Sequence, residues 1–235
     1  MPSYDPARHH RRSIRLPGYD YTQPGAYFVT IVTHCRTHVF GEVVDGDMRL
    51  NAWGDIVRDE WFKTAQIRPY VQLRDDEFVV MPNHIHGIIW IVGDHMVGAR
   101  RRRAPTPDIP TRADHTPEIL ACADHIPEIH TMEQFGKPVP GSIPTILRSF
   151  KSAVTKRINK LCSTPGAPIW QRNYYEHIIR HERALNAIRH YITDNPRRWH
   201  LDRENPHRTG SDPLAREIWM MLQEDDRCHA AEGDR

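Results

Sequence analysis

Two histidines one residue apart, His84 and His86, stand in the run Met81-Pro82-Asn83-His84-Ile85-His86-Gly87-Ile88-Ile89-Trp90-Ile91-Val92. A turn-forming Pro-Asn pair leads into a short β-branched apolar segment, the pattern of a buried strand. Alternate residues of a strand share a face, so His84 and His86 point the same way, about 7 Å apart by the usual rise, and can converge on one ion. Further on, Tyr191 and Asn195 stand four apart in a segment with helical periodicity, which places phenol and carboxamide on one face. A phenol is a poor nucleophile at its ordinary pKa of about 10 and needs a cation or base beside it. An amide oxygen can complete the shell of a hard ion whose other ligands are imidazoles. If the helix packs over the start of that strand, the four residues amount to a metal site with a nucleophile. If it does not, they are a polar strand face, a half-buried tyrosine and a helix-ending Asn before Pro196.

The elements that must position them read as follows. Ala26–Thr33 is an apolar strand after the Pro24-Gly25 turn, and 38–50 is a small hairpin whose turn is Asp45-Gly46. Asn51 caps a helix to about Ala65, with Trp53, Ile56, Val57 and Trp61 at helical spacing. A second strand is strongest at Phe78–Met81, and the tight Pro82-Asn83 connection pairs it antiparallel with the histidine strand. Ser142 is the expected N-cap of a basic amphipathic helix whose apolar stripe is Ile146, Leu147, Phe150, Val154, Ile158 and Leu161. Ile169–Ile179 reads as a strand region and His181–Asn195 as a helix, with Pro196 forbidding its continuation. Between the histidine strand and the basic helix, 98–141 holds four consecutive arginines at its start, many prolines and a near-duplicated Ala-Asp-His-x-Pro-Glu-Ile, the composition of a flexible low-complexity insertion. The organisation expected is a basic arm over 1–20, a first domain part over 21–97, the insertion over 98–141, a second domain part over 142–205 and a polar acidic tail over 206–235. The fold class is α+β: one ferredoxin-like antiparallel sheet with helices on one face.

Composition narrows the setting. No apolar run approaches the 18 or so residues of a membrane-spanning helix. The four cysteines are scattered without a Cys-x-x-Cys pair, which argues against a disulfide framework or cysteine zinc knuckle and makes a reducing cytoplasm the simplest location. The net charge is only +2, but it is unevenly spread. Between residues 143 and 200 there are eleven Arg or Lys against three acids, and from Ser211 onward seven acids against three arginines. A basic segment followed by an acidic end suits a polyanion-binding domain.

Three stretches, Met-Pro-Asn-His-Ile-His-Gly-Ile-Ile-Trp, Ile-Trp-Gln-Arg-Asn-Tyr-Tyr-Glu-His-Ile-Ile-Arg and Ile-Arg-His-Tyr-Ile-Thr-Asp-Asn-Pro, resemble the single-tyrosine transposases with a His-hydrophobic-His site, and among them the REP-associated branch. The resemblance covers roughly residues 15–95 and 142–205. It implies a ferredoxin-like core and a divalent ion, Mg²⁺ or Mn²⁺. By that likeness His84 and His86 are the paired imidazole ligands, Asn195 the helix ligand and Tyr191 the nucleophile. Glu176 and His177 match a family hallmark and are candidates to support the site, with no chemical role assigned to either. The reaction implied is transesterification of single-stranded or hairpin DNA through a 5′-phosphotyrosine, by a monomer or homodimer with no membrane partner. Arg148, Lys151, Lys156, Arg180, Arg183 and Arg189 are candidates to hold the phosphates. Tyr174 and Tyr175 are rival phenols. Competing readings are a domesticated hairpin-binding protein or repressor, a metal-dependent nuclease that uses water, and an RNA-binding module, for which the strands lack an exposed aromatic pattern.

Overall fold

We describe the fold from a computed structural model, in which residues 19–93 and 139–232 are described. The expectations for the basic arm, apart from Tyr19 and Asp20, and for most of the insertion fall outside them. The ordered elements are β1 (Gly25–Val32), β2 (Gly41–Val44), β3 (Asp47–Leu50), α1 (Ala52–Ile67), β4 (Val71–Gln72), β5 (Phe78–Val80) and β6 (His84–Ile91), then α2 (Ile143–Cys162), β7 (Tyr175–Ile179), α3 (Glu182–Asp194) and α4 (Pro213–Glu232). Among the described residues no helix is long and apolar enough to cross a membrane.

β1, β6 and β7 form an antiparallel sheet in which β1 lies between β6 and β7, while β4 and β5 both pair with the outer edge of β6. That order, with α1 between β1 and β4 and α2 between β6 and β7, is the split βαβ arrangement of a ferredoxin-like layer. β2 and β3 form a separate ribbon, closed by Asp45 and Gly46, both at positive φ. α1 starts where the sequence places it: the Asn51 side chain accepts from the backbone N–H of Trp53 and of Gly54.

Tyr27, Val29 and Ile31 of β1 and Ile85 and Ile89 of β6 face α1 and α2, and the stack of Trp61 on Phe78 fills the space beside them. Gly87 makes that stack possible. A Cβ there would lie 2.4 Å from the Trp61 ring, so the residue after the second histidine has no room for a side chain.

The helices, expected on one face, occupy both. Ala26, Phe28, Ile88 and Ile179 project from the other side of the sheet and pack under α3 and α4. The reason is visible in β1, where Ala-Tyr-Phe-Val-Thr-Ile-Val is apolar at odd and even positions alike, the pattern of a strand covered on both sides. The acidic tail expected over 206–235, with its helix-like run at 214–222, folds back onto the domain. It contains α4, whose Ile218 and Leu222 are buried against α3, and whose start is fixed by Asp212 paired with Arg198. The 169–179 strand is shorter than expected. Ordered pairing begins at Tyr175, and upstream only Trp170 makes an isolated bridge, to Thr33. Ser142 holds the N-cap position of α2, but its hydroxyl donates to the Val139 carbonyl instead of accepting from the helix.

Candidate active site

β6 places His84 and His86 on the face covered by α3, opposite Val32 and Thr30 of β1. The two rings meet with their Nε2 atoms 3.0 Å apart. Each is held there by its other nitrogen. His84 Nδ1 is 2.9 Å from the Asn83 side-chain oxygen, and the Asn83 amide nitrogen donates to the carbonyls of Arg36 and Glu204. Those two bonds fix which end of the amide faces His84, so Nδ1 carries the hydrogen and the Nε2 lone pair points into the site. His86 Nδ1 is 2.8 Å from the Thr30 hydroxyl, which allows the same tautomer. Replacing Asn83 by Ala frees the His84 ring, and divalent-ion affinity is expected to fall about 10–100-fold, measured by calorimetric titration of the metal.

α3 brings the remaining groups. His181 caps it by accepting from the Ala184 N–H, and Ala184, Ile188 and Ile192 seat it on the sheet. That seating turns Tyr191 inward, its hydroxyl 3.3 Å from His86 Nε2 and its ring beside both His86 and Phe28. Asn195 ends the helix, one turn on. The chain then makes a 3₁₀ turn, Pro196–Leu201, that lays Trp199 against His84 and delivers Asp202. Asp202 Oδ2 lies 3.9 Å from His84 Nε2 and accepts from the Asn195 amide nitrogen at 3.2 Å. His84, His86, Tyr191, Asn195 and Asp202 are each no more than 3% exposed.

This set can hold a cation. The ligand atoms of His84, His86 and Asp202 all lie within 4.8 Å of one another. Two nitrogens bound at right angles to one ion at about 2.1 Å stand about 3.0 Å apart, which is the separation of the two Nε2 atoms. Burial depresses the pKa of His84, and burial together with the nearby His84 depresses that of His86 well below its ordinary value, so both rings are neutral ligands. The Asn195 side-chain oxygen is buried without a hydrogen-bond partner, an unpaired acceptor of the kind a positive ion attracts. Burial and then the negative charge of Asp202 push the Tyr191 phenol up, so the protein alone keeps it protonated.

The other expected residues fall in different places. Tyr175 packs on Trp219 of α4, and Tyr174 packs with the core on the α1–α2 side. Successive residues of β7 alternate, so His177 shares the face of Tyr175 and Ile179, whereas Glu176 shares the face of Ile178, away from the histidines. Glu176 therefore cannot support the site directly. Arg189 is not a surface cation awaiting phosphate: its guanidinium binds Glu77 through two hydrogen bonds of 2.8 and 2.6 Å. Lys151 donates to the carbonyls of Gln171 and Arg172, while Arg148, Lys156 and Arg183 are exposed and Arg180 is partly buried.

Three site residues went unassigned in the sequence. Thr30 carries a signal, being the polar residue in an otherwise apolar strand and in phase with Phe28. Asn83 was assigned only to a turn. Asp202, in Trp-His-Leu-Asp-Arg-Glu-Asn, follows no periodicity, and only its burial singles it out.

No family model matches the chain. A protein of Haemophilus influenzae described as uncharacterised is 36% identical over 203 residues, spanning 85% of this chain and 95% of that protein. Among solved structures, the chain is similar to a REP-associated tyrosine transposase bound to a REP hairpin, at 18% identity and a TM-score of 0.41, over 83% of this chain and 73% of that one. It is also similar to a candidate transposase of Deinococcus radiodurans, at 15% identity and a TM-score of 0.38, over 76% of this chain and 94% of that one.

Proposed function

We propose that this chain, which belongs to the same family as the Haemophilus influenzae protein, is a divalent-metal-dependent transposase that cuts and rejoins single-stranded or hairpin DNA through a covalent phosphotyrosine. The observation that carries the reading is the approach of the buried Tyr191 hydroxyl to His86, on a pair of histidines whose free nitrogens converge. It is joined by the sequence resemblance at three ordered motifs.

His84, His86 and Asp202 would hold Mg²⁺ or Mn²⁺, with Asn195 as the further oxygen donor. The ion, when bound, supplies positive charge that polarises the scissile phosphate and offsets the negative surroundings of the phenol. The chain's own residues do the rest. Phe28, Ile188 and Ile192 hold the Tyr191 ring in one direction, so its oxygen meets phosphorus from a fixed side. Asn83 and Thr30 hold the two imidazoles as neutral ligands. In the step itself, the Tyr191 oxygen bonds to phosphorus and the bond from phosphorus to the 3′ oxygen breaks. The phenol loses a proton and the departing 3′ oxygen gains one. The product is a 5′-phosphotyrosine and a free 3′-OH, and the reverse attack rejoins a strand without consuming water.

The test uses hairpin oligonucleotides labelled at either end, incubated with protein and Mn²⁺ and run on denaturing protein gels. The expected result is label from the 3′ side of the cut retained on the wild-type protein, and none on Tyr191→Phe. Equal cutting by both proteins without an adduct would identify a water-using nuclease. Binding with no cutting by wild type would identify a hairpin-binding protein. Either overturns the proposal.

A further inference from the structure

The candidate ion ligands come from two parts of the chain: His84 and His86 from β6, and Asn195 and Asp202 from the end of α3 and the turn beyond it. One residue, Glu204, touches the supports of both. Its backbone N–H donates to Asp202 Oδ1 at 2.6 Å. Its carbonyl accepts at 2.7 Å from the amide nitrogen of Asn83, the residue that holds the His84 ring. Its side chain is only 8% exposed, and both carboxylate oxygens face cations: Oε2 accepts from Arg36 Nε at 2.8 Å, and Oε1 lies 3.1 Å from Arg203 Nε.

Arg36 closes a ring. Its own carbonyl accepts from the same Asn83 amide nitrogen at 3.1 Å, while its guanidinium holds Glu204. The Asn83 amide thus sits between the main chains of Arg36 and Glu204, and the ion pair ties those two main chains together. The chain reaches this arrangement through two successive residues at positive φ, Cys35 at 55° and Arg36 at 54°. Side chains other than glycine's rarely adopt that conformation, and it persists where the surroundings fix it. Half of the Arg36 side chain is exposed, so the pair adds little to global stability. Its contribution is placement.

We infer that Arg36 and Glu204 are positioning residues of the ion site. Their bond clamps the turn that carries Asp202 against the start of β6, so that Asp202 Oδ2 and the His84 Nε2 lone pair face one ion. This rests on the function proposed above. Neither side chain is a ligand; each acts through Asn83 and Asp202. With the clamp released, the turn keeps its internal bond from the Asn205 N–H to the Asp202 carbonyl. What it loses is its fixed distance from β6, where Asp202 Oδ2 now stands 3.9 Å from His84 Nε2.

The experiment titrates Mn²⁺ into the full chain without DNA, reading the free ion from its electron paramagnetic resonance signal. Electrostatics alone and the clamp predict opposite signs for Arg36→Ala. Removing a positive charge from the surroundings of a cation site strengthens cation binding, whereas releasing the clamp weakens it. The expected result is a loss of about tenfold in affinity, in a protein whose fold is checked by circular dichroism. Glu204→Ala and Glu204→Gln remove the same charge, but the second keeps an oxygen that can accept from Arg36 Nε. It is expected to bind Mn²⁺ several-fold more tightly than Glu204→Ala, and this pair decides the question alone if Arg36→Ala does not fold. Affinity in folded Arg36→Ala equal to or above that of wild type, or equal affinities in the two Glu204 variants, overturns the clamp and leaves the ion site standing. No Mn²⁺ binding by wild type overturns the ion site itself, and the proposed function with it.

Discussion

His86→Ala is expected to reduce strand cleavage by on the order of 10³-fold or more, while hairpin binding in EDTA stays within a few-fold of wild type. The charge stabilisation supplied by a bound dication is worth several kcal/mol in a transition state, and each 1.4 kcal/mol or so is tenfold in rate. The substitution removes one of two imidazole ligands and leaves His84 to hold an ion with oxygen donors alone. It also removes the partner of the Tyr191 hydroxyl and the ring stacked on Phe28. The cavity left costs about 2–3 kcal/mol of stability, so the variant remains folded at moderate temperature, which a thermal melt checks. Cleavage within tenfold of wild type in a folded His86→Ala protein would show that the histidine pair is not the catalytic metal site. Equal loss of cleavage and hairpin binding would place the histidine in DNA recognition instead.

The second large effect lies outside the site. Glu77 is fully buried, with one carboxylate oxygen bound by Arg189 and the other accepting from the Trp90 indole at 2.6 Å. Removing one partner of a buried ion pair costs about 3–5 kcal/mol, because the other is left unpaired. Arg189 keeps 28% of its side chain exposed and can reach water, which lowers the expected cost of Glu77→Ala to about 2–4 kcal/mol. Urea unfolding measures it. A double variant, Glu77→Ala/Arg189→Met, no longer carries the orphaned cation and is expected to recover part of that loss. If the double variant is no more stable than the single one, unpaired charge is not the cause. The same pair explains why Arg189 is not available to DNA: the first turn after β4 needs it to fasten α3, two residues before the tyrosine.

These two groups also show what the sequence could and could not convey. His84 and His86 were legible because a strand's period of two is rigid: the face they share follows from the spacing, and only the identity of the covering element was open. Tyr191 and Asn195 were legible for the matching reason on a helix. Asp202 was not, since it reaches the histidines through an irregular turn after Pro196, and irregular backbone carries no period. Glu77 stands in an acidic run, Asp75-Asp76-Glu77, with no periodicity to mark it as buried, and its partner is an arginine far along the chain. The antiparallel sheet and its strand order follow from elements the sequence marks clearly. The second helical layer was under-read, although the two-sided apolarity of β1 already required it. Glu176 was matched only as part of a motif, and a motif match says nothing of which way a strand residue faces.

The route by which the chain closes on itself sets an order of events. The histidines come together through β5, a tight turn and β6, contacts between residues close in sequence that form early. The tyrosine arrives only when β7 docks on β1, where Thr30 meets Tyr175 from the far end of the chain, a pairing that loop-closure entropy delays. A half-folded chain thus has two of the candidate ion ligands, His84 and His86, before Tyr191, Asn195 and Asp202 reach them. Such an intermediate has neither the Asp202 carboxylate that completes the candidate ion site nor the Tyr191 phenol beside His86. On the function proposed above, the phenol and the complete ion site would form together, so a nascent molecule could not be trapped on DNA as a covalent adduct before the last strand is in place.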